Sequence, residues 1–317
     1  MTTTTTSRAT TSTDPTSTAT TSPATSRSRP RTRLRAERLT PAIGSVVEGV
    51  DLGIALDTRT IGSLADLLIE RQVLFFRDQL LDSVGQCNFA EQFGTLAISP
   101  LQRLTGSTRP YSIIDDTELR PPADFDWHTD VSWSRCPPNI GVLNALVIPE
   151  CGGDTLWASG AAAYESLPRS LQGLASTLRV RHRMDDSYLA TVAEHHGENI
   201  AARLASENPA VEHPLVRAHP VTGRPALWLS PLYQREIIGL TSAESRSLLA
   251  VFNDAIEDPS VQVRWRWRVG DVAMWDETST CHRALADHFP AHRRMRRCTT
   301  EGTRPLGSPP VHAQPAK

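Results

Sequence analysis

The stretch VQVRWRWRVGDVAMW, residues 261–275, contains two short apolar runs separated only by Gly270. Runs of this length, bounded by turn residues, are typical of β-strands. Further runs alternate with proline, glycine and aspartate from about Tyr111 onward, among them IGVLNALVI (140–148), DTLWAS (154–159) and ALWLS (226–230). Many short strands with turn signals between them predict a mainly β fold, either a sandwich or a jelly roll.

Helices are expected to flank this β-rich part, because several stretches have helical apolar spacing. The stretch 83–93 ends before Gly94, a residue typical of helix ends. No internal repeat is present. The predicted helices are 61–71, 83–93, 161–178 and 242–256, and a strand or hairpin at 44–52 and a buried strand at 73–77 are predicted near the N-terminus.

The chain of 317 residues divides into three regions by composition. Residues 1–36 are rich in threonine, serine and arginine and almost free of large apolar side chains, so they are predicted to be a disordered tail. Their scarcity of acids also resembles an organellar transit peptide, which stays open as an alternative. Residues 37–303 are predicted to form one domain, and residues 304–317 a flexible C-terminal tail.

Charge and cysteine content narrow the class of protein. The formal net charge of −2 indicates neither nucleic acid nor a membrane surface as a partner. No apolar run approaches the roughly 20 residues of a membrane helix, and the N-terminus has no apolar core of a secretory signal. The 5 cysteines are odd in number and lack CxxC spacing, which predicts free thiols in a reducing, cytoplasmic compartment.

A candidate metal site begins at His128-Thr129-Asp130 in the stretch DFDWHTDVSW. On a strand, residues two apart project to the same side, so an imidazole and a carboxylate can bind one metal. Two histidines and one carboxylate on one face of an octahedron leave open positions that suit Fe(II) oxygen chemistry. The pattern alone is common by chance. His196-Gly197-Glu198 also fits it, but lies in a polar stretch and is predicted to be solvated.

Three histidines, His282, His288 and His292, are candidates for the third ligand. His282 follows a predicted strand and a polar turn, and a ligand at a strand end would face the mouth of a barrel, where small-molecule sites occur. His288 and His292 fall in the following loop and are expected to be exposed. The sequence therefore favours His282.

The segment HRRMRR, residues 292–297, is a candidate anion site. It could instead be a solvated basic face or a nucleic-acid patch. On a strand, however, Arg293, Met295 and Arg297 share one face, and Arg294 and Arg296 share the other. The planar fork of arginine matches carboxylates and sulfonates. Two inward arginines would suit two anions, a dicarboxylic cosubstrate and the substrate itself.

Four segments together resemble the taurine dioxygenase/TfdA family: WHTDVSW (127–133), PECGGDTLWASGAAAYESL (149–167), VRWRWRVGDVAMWD (263–276) and HRALADHFPAHRRMRR (282–297). The resemblance runs from about Leu39 to Gly302. It implies a double-stranded β-helix (jelly roll) with helices packed outside it. It also implies Fe(II) as the metal, 2-oxoglutarate and O2 as cosubstrates, and self-association as a dimer or tetramer.

The resemblance assigns roles residue by residue. His128, Asp130 and His282 match the family's iron ligands. Arg293 matches the arginine that pairs with the far carboxylate of 2-oxoglutarate, and Thr155 matches the threonine that assists it. In a last match, Arg297 corresponds to the arginine that binds the sulfonate, sulfate or carboxylate of anionic substrates.

The residues expected around the substrate depart from those of taurine-using members. Asp124 stands in place of an asparagine, where its carboxylate could pair with a substrate amine or lie solvated in a loop. WDETSTCHR (275–283) replaces the more usual WDNRxTQHR. The substrate is therefore expected not to be taurine. The other departures are Ser99 and Gln102, in place of a histidine and a tyrosine, and Tyr188 and Tyr233, in place of phenylalanines.

The expected reaction is hydroxylation of a C–H bond in a small anionic substrate, coupled to decarboxylation of 2-oxoglutarate to succinate. Asp130 is present where related halogenases have glycine or alanine, so hydroxylation is favoured over halogenation, while desaturation and cyclisation stay open. An alkyl sulfonate or sulfate, or an intermediate of secondary metabolism, would fit. The alternatives are a non-catalytic binding protein on the same fold and a metal-dependent hydrolase using zinc.

Overall fold

The structure is a computed structural model, and it describes residues 1–2, 34–122 and 126–309. The described residues from 34 to 309 belong to one compact unit, and of the other unit only the first two residues are described. The predicted tail of residues 1–36 therefore lies almost entirely outside the described residues, as do Asp124 and residues 310–317.

The described residues contain fifteen strands. In chain order they are β1 (Arg35–Arg38), β2 (Ser45–Glu48), β3 (Val73–Phe76), β4 (Ser112–Asp116), β5 (Ile140–Val147), β6 (Thr155–Ser159), β7 (Arg179–His182), β8 (Val211–Pro214), β9 (Val216–Ala218), β10 (Pro225–Leu227), β11 (Gln234–Ile237), β12 (Gln262–Trp265), β13 (Val272–Asp276), β14 (Thr280–Ala284) and β15 (Arg293–Thr299).

Seven of these strands form a large sheet in the order β1-β2-β3-β13-β5-β15-β4, antiparallel except between β2 and β3. A second sheet has the order β12-β6-β14, and two smaller sheets have the orders β11-β7-β8 and β10-β9. From β3 onward, the neighbours in the large sheet are far apart in sequence, which is why a sequence pattern alone cannot assign them. The important pairing is that of β15 with both β5 and β4, because β15 carries the arginine segment.

An aromatic core joins the large sheet to the β12-β6-β14 sheet. Phe75 of β3 stacks on Trp265 of β12 with ring centroids 4.1 Å apart, and meets Trp157 of β6 edge-on at 5.3 Å. Trp275 of β13 lies 5.8 Å from Trp157. All four side chains are buried. The two sheets therefore pack face to face, as in the predicted sandwich or jelly roll.

Eight α-helices are described. They are α1 (Thr58–Arg71), α2 (Ser83–Glu91), α3 (Pro100–Leu104), α4 (Gly160–Ser166), α5 (Arg169–Thr177), α6 (Asp186–His196), α7 (Glu198–Glu207) and α8 (Ser242–Glu257). Leu64 of α1 and Phe89 of α2 pack with the residues of β3 that face away from Phe75. Phe252 and Ile256 of α8 pack with Ala158 of β6. Helices thus cover the outer faces of both sheets.

Several predicted elements differ in extent. The predicted helix 161–178 is two helices, because Pro168 has no backbone N–H to continue α4 and disfavours a helical conformation at Leu167. The predicted strand 226–230 is limited to β10. Helices α6 and α7 were not predicted. Their apolar residues pack with the turn after Asp130 rather than with the sheets.

The ends of the predicted domain extend further than expected. Strand β1 begins at Arg35 and pairs with β2. Leu306 accepts a hydrogen bond from the backbone N–H of Ala218 at 2.9 Å, and the backbone N–H of Ser308 donates to Val216 at 3.0 Å. Part of the predicted C-terminal tail is therefore hydrogen-bonded to β9. Among the described residues, no helix combines the length and the apolar character needed to cross a bilayer.

Candidate active site

His128 and His282 are held side by side by their backbones. The N–H of His128 donates to the carbonyl of His282 at 2.9 Å, and the N–H of His282 returns a bond of 2.8 Å. Because this places the two residues directly opposite each other, their rings lie with centroids 4.3 Å apart. The prediction that His282 ends a strand is wrong: it is the central residue of β14.

Asp130 completes a buried cluster with these histidines. Its Oδ1 lies 3.8 Å from Nε2 of His128 and 3.9 Å from Nε2 of His282. His128 forms an isolated bridge and Asp130 starts a turn, so the predicted strand is wrong for this segment. The turn continues through Val131 at φ 52°. Thr129 points away from this cluster, and its hydroxyl donates to the carbonyls of Leu229 and Thr280.

The donor atoms of this cluster fit a metal ion. One ligand atom from each of the three residues lies within 4.8 Å of the other two. Asp130 Oδ2 and His282 Nδ1 have no hydrogen-bond partner among the described residues. A buried carboxylate oxygen without a partner costs free energy, and a cation would remove that cost. The arrangement of two imidazoles and one carboxylate is that of iron oxygenase sites.

The protonation states also suit metal binding. Burial lowers the pKa of His128, and burial together with His128 holds the pKa of His282 well below its ordinary value. Both rings are therefore neutral near pH 7 and able to donate a lone pair. Burial acts to raise the pKa of Asp130, but Arg297 and the two histidines outweigh it and lower the pKa.

Glu277 supports this cluster and was not identified from the sequence. Its Oε2 accepts a hydrogen bond of 3.1 Å from the backbone N–H of Asp130, and its Oε1 accepts one of 2.7 Å from Trp275 Nε1. Glu277 is fully buried, and burial together with Asp130 raises its pKa well above the ordinary value. The sequence could have indicated Glu277, because this residue lies in WDETSTCHR, the segment that differs from the more usual family pattern.

A cavity of about 340 Å³ opens onto the histidine–aspartate cluster. It brings together all of the predicted site residues that the structure describes. Asp124 lies outside the described residues, so its proposed contact with a substrate amine stays a prediction. The predicted residues that line the cavity are Ser99, Gln102, His128, Asp130, Thr155, Tyr188, Tyr233, His282, Arg293 and Arg297.

The alternation predicted for the arginine segment agrees with β15. Arg293 and Arg297 line the cavity, with Met295 fully buried between them. Arg294 is exposed. Arg296 lies on the opposite face and donates hydrogen bonds of 2.7 Å to both Gln86 Oε1 and the carbonyl of Leu81. The segment is therefore neither a solvated basic face nor an exposed nucleic-acid patch.

The two inward arginines have different surroundings. Arg293 is 3% exposed, and its Nε donates to the carbonyl of Gly153 at 3.0 Å. Arg297 Nη1 donates to Asp130 Oδ1 at 2.7 Å, so it lies beside the candidate metal ligands. Burial lowers the pKa of Arg293, whereas at Arg297 the nearby carboxylates outweigh burial and raise the pKa. Thr155 accepts a hydrogen bond from Trp267 Nε1 at 3.0 Å, which fixes its hydroxyl in the cavity wall.

Ser99 and Gln102 line the cavity, but their side chains are hydrogen-bonded to the backbone. Ser99 caps α3, and the Gln102 side chain accepts a bond of 3.0 Å from the Ser99 backbone N–H. The Gln102 amide also donates to the carbonyls of Arg109 and Tyr111. Because of these contacts, Ser99 and Gln102 have fewer free polar groups to offer a substrate than the family resemblance implied.

The expected exposure of His288 is wrong. Its side chain is buried against the glycine pair Gly152 and Gly153, where a Cβ on Gly152 would come within 2.9 Å of the His288 backbone nitrogen. Asp287 holds this loop in place by accepting a 2.8 Å bond from the Gly153 N–H. His292 is exposed, as predicted.

Residues 35–299 match the taurine catabolism dioxygenase TauD, TfdA family. The chain belongs to this family. It is 35% identical to an alkylsulfatase of Acinetobacter baylyi over 278 residues, which cover 86% of each chain. It is also 35% identical to an alpha-ketoglutarate-dependent sulfate ester dioxygenase of Pseudomonas putida, covering 84% of this chain and 88% of that protein.

The fold agrees with a solved relative. The crystal structure of a taurine dioxygenase from Burkholderia xenovorans superimposes with a TM-score of 0.73 at 32% identity, covering 86% of this chain and 93% of that chain. The predicted family, the jelly-roll fold with flanking helices and the enzyme class are confirmed. This TauD/TfdA-family chain is a dioxygenase that uses Fe(II), 2-oxoglutarate and O2.

Proposed function

We propose that this dioxygenase hydroxylates a C–H bond beside the sulfate group of a small sulfate ester, with His128, Asp130 and His282 as iron ligands. The observation that carries the proposal is a cavity that contains both this buried cluster and the two inward arginines of one strand. One arginine is needed for the cosubstrate and one for a substrate anion. The altered surroundings of the substrate argue against taurine.

The neutral histidines and the ionised carboxylate would hold Fe(II) and leave its remaining positions for 2-oxoglutarate and O2. Bound iron would supply O2 activation and the oxidising power released when 2-oxoglutarate is decarboxylated to succinate. The protein itself fixes the positions of the residues proposed as iron ligands. His128 Nδ1 lies 2.9 Å from the carbonyl of Asp126, which orients the ring, and Glu277 orients the turn at Asp130 through its backbone N–H.

Arg293 is proposed to bind the far carboxylate of 2-oxoglutarate. Its Nε is already engaged with Gly153, so the guanidinium is held in one orientation within the cavity wall. Thr155 lines the same cavity, and its hydroxyl oxygen accepts the Trp267 N–H, which leaves its own O–H free to donate to a carboxylate. A buried guanidinium is suited to a carboxylate because it offers a planar pair of donors.

Arg297 is proposed to bind the sulfate group. It lies next to Asp130, so an anion bound to it would place the adjacent carbon near the iron site. Tyr188, Tyr233 and Trp133 form much of the surrounding wall and would exclude water from the organic part of the substrate. Hydroxylation of the carbon that carries the ester oxygen gives an unstable hemiacetal ester. Its collapse releases sulfate and a proton and leaves an aldehyde.

The relatives named alkylsulfatase and sulfate ester dioxygenase support this class of substrate. A non-catalytic role would leave the intact histidine–aspartate cluster and Arg293 without purpose. Zinc-dependent hydrolysis would leave the second inward arginine unexplained.

Self-association as a dimer or tetramer is proposed from the resemblance, and light scattering would test it. A cytoplasmic location is proposed from the unpaired cysteines, and cell fractionation would test it.

The first experiment is anaerobic titration of the protein with Fe(II) and 2-oxoglutarate, monitored by the visible metal-to-ligand charge-transfer band. We expect the band in the wild type and in His292→Ala, whose side chain is exposed, and no band in His128→Ala or His282→Ala. Succinate formation is then compared for a short alkyl sulfate, the matching alkyl sulfonate and taurine. Iron binding without the band would overturn the cosubstrate site, and equal turnover of taurine would overturn the sulfate ester.

A further inference from the structure

Two polar side chains of the cavity, His288 and Asp116, have no role in the proposed function. His288 is 5% exposed, and neither of its ring nitrogens has a hydrogen-bond partner among the described residues. Its Nε2 lies 3.5 Å from Asp116 Oδ2, near but beyond the usual length of a hydrogen bond. A buried imidazole without a partner costs free energy, which indicates a second state in which the partner is present.

Asp116 is also close to the arginine proposed to bind 2-oxoglutarate. Strands β4 and β15 pair in antiparallel register with Asp116 directly opposite Arg293. Asp116 Oδ2 lies 3.7 Å from Arg293 Nη1, and both side chains line the cavity. The guanidinium therefore already faces an internal carboxylate at the place where a cosubstrate carboxylate is expected.

We propose that Asp116 competes with the far carboxylate of 2-oxoglutarate for Arg293, and that Asp116 takes up one proton from solvent when the cosubstrate binds. The proton is then held in a hydrogen bond between Oδ2 of Asp116 and Nε2 of His288. This inference rests on the proposed function, in which Arg293 binds that carboxylate. No electrons move, and the proton is returned when the product or the cosubstrate leaves.

The charges around Asp116 explain the proton uptake. Burial raises the pKa of Asp116, while Arg293 and then His288 act in the opposite direction. Asp115, its neighbour on β4, adds a small rise, although this side chain points outward to His292 at 2.9 Å. A cosubstrate carboxylate on Arg293 would cancel the main charge that keeps Asp116 ionised and would add a like charge nearby. Both effects favour the neutral form.

The test is calorimetric titration of the Fe(II)-loaded full chain with 2-oxoglutarate under argon, in buffers that differ in ionisation enthalpy. We expect the wild type to take up about one proton per 2-oxoglutarate. Its Kd should therefore rise about tenfold per pH unit over the range in which Asp116 is ionised in the free protein and neutral in the complex. Asp116→Asn imitates the neutral carboxyl group. It should bind without proton uptake, with a Kd that is independent of pH and about tenfold lower at alkaline pH.

Asp115→Asn is the matched control, because it removes the neighbouring carboxylate of the same strand and should leave proton uptake unchanged. A second control is 2-oxobutanoate, which lacks the far carboxylate. Its binding should involve about one proton less than that of 2-oxoglutarate and should not improve in Asp116→Asn. His288→Leu removes the hydrogen-bond partner of the protonated Asp116 and should weaken 2-oxoglutarate binding in the pH range where proton uptake accompanies binding. At acidic pH, where Asp116 is already neutral in the free protein, its effect should be small.

Equal proton counts for 2-oxoglutarate and 2-oxobutanoate in the wild type would overturn the proposal, even if no variant folded. Weaker binding of 2-oxoglutarate by Asp116→Asn would also overturn it, because Asp116 would then orient Arg293 rather than compete for it. Failure of the proposed function gives a different result: the charge-transfer band would be absent with both 2-oxo acids and in every variant.

Discussion

Arg293→Ala tests the cosubstrate site most directly. In the wild type the guanidinium is buried, and its Nε bond to Gly153 leaves the remaining N–H groups for a ligand. A carboxylate brought to this place without Arg293 would be buried and unpaired. Removing one partner of a buried ion pair costs about 3–5 kcal/mol. Asp116 already competes for the guanidinium, so the lower end of this range is the better expectation.

At 1.4 kcal/mol for each factor of ten, a loss of about 3 kcal/mol raises the Kd for 2-oxoglutarate by about two orders of magnitude. The assay is the anaerobic titration of the charge-transfer band, with KM for 2-oxoglutarate from succinate formation as a second measurement. Arg293→Lys keeps the charge but not the planar fork, and should fall between the wild type and alanine.

The matched control is Arg294→Ala, since its side chain is exposed on the other face of the same strand. Surface substitutions of this kind usually change stability by no more than about 0.5 kcal/mol, and its Kd should be that of the wild type. A wild-type Kd in folded Arg293→Ala would remove this residue from the cosubstrate site. Equal weakening by both substitutions would indicate general damage to β15.

Two further substitutions follow from the contacts of the iron site. Arg297→Ala should raise KM for an alkyl sulfate by about tenfold to a hundredfold, because a charged hydrogen bond worth about 1.5–3 kcal/mol is lost, while Kd for 2-oxoglutarate changes little. The control is Arg296→Ala, which should destabilise the fold instead. An unchanged KM in Arg297→Ala would exclude Arg297 from substrate binding. Glu277→Ala leaves the N–H groups of Trp275 and Asp130 without acceptors. We expect iron binding to weaken about 10–100-fold, measured by competition with a chelator. Unaltered iron affinity in the folded variant would contradict a positioning role for Glu277.

The sequence predicted the parts of the site that depend on local spacing. Arg293 and Arg297 share a face because strand alternation has a period of two, and this holds in any sheet. The candidate ligand pair His128 and Asp130 was predicted from its spacing, and the two side chains do lie in one cluster, although the segment is a turn and not a strand. His282 was favoured from the strand and turn before it and was then matched by the family resemblance. It lies more than 150 residues away, and its position depends on the pairing of β14 with the segment at His128.

The sequence could not predict contacts that depend on which strands become neighbours. Asp116 faces Arg293 only because β4 is the edge strand beside β15, and the 176 residues between them contain most of the domain. His288 is buried because its loop folds against two glycines of another loop, and loop polarity alone suggested exposure. The sequence contains Pro168, but it does not show that this residue separates two helices, because that depends on both helices packing on the same core.

Charge balance connects the two arginines with the proton on Asp116. In the free cavity, Arg293 and Arg297 carry two positive charges, and Asp116 and Asp130 carry two negative charges. Glu277 does not line the cavity, and burial together with Asp130 raises its pKa. Fe(II) and the 2-oxoglutarate dianion cancel each other, so the proton that Asp116 takes up with the cosubstrate leaves one net positive charge among these groups. A sulfate ester carries one negative charge, and its binding to Arg297 would restore neutrality. A substrate of the same shape without the anionic group would gain nothing from Arg297, and a dianionic substrate would again leave the site charged.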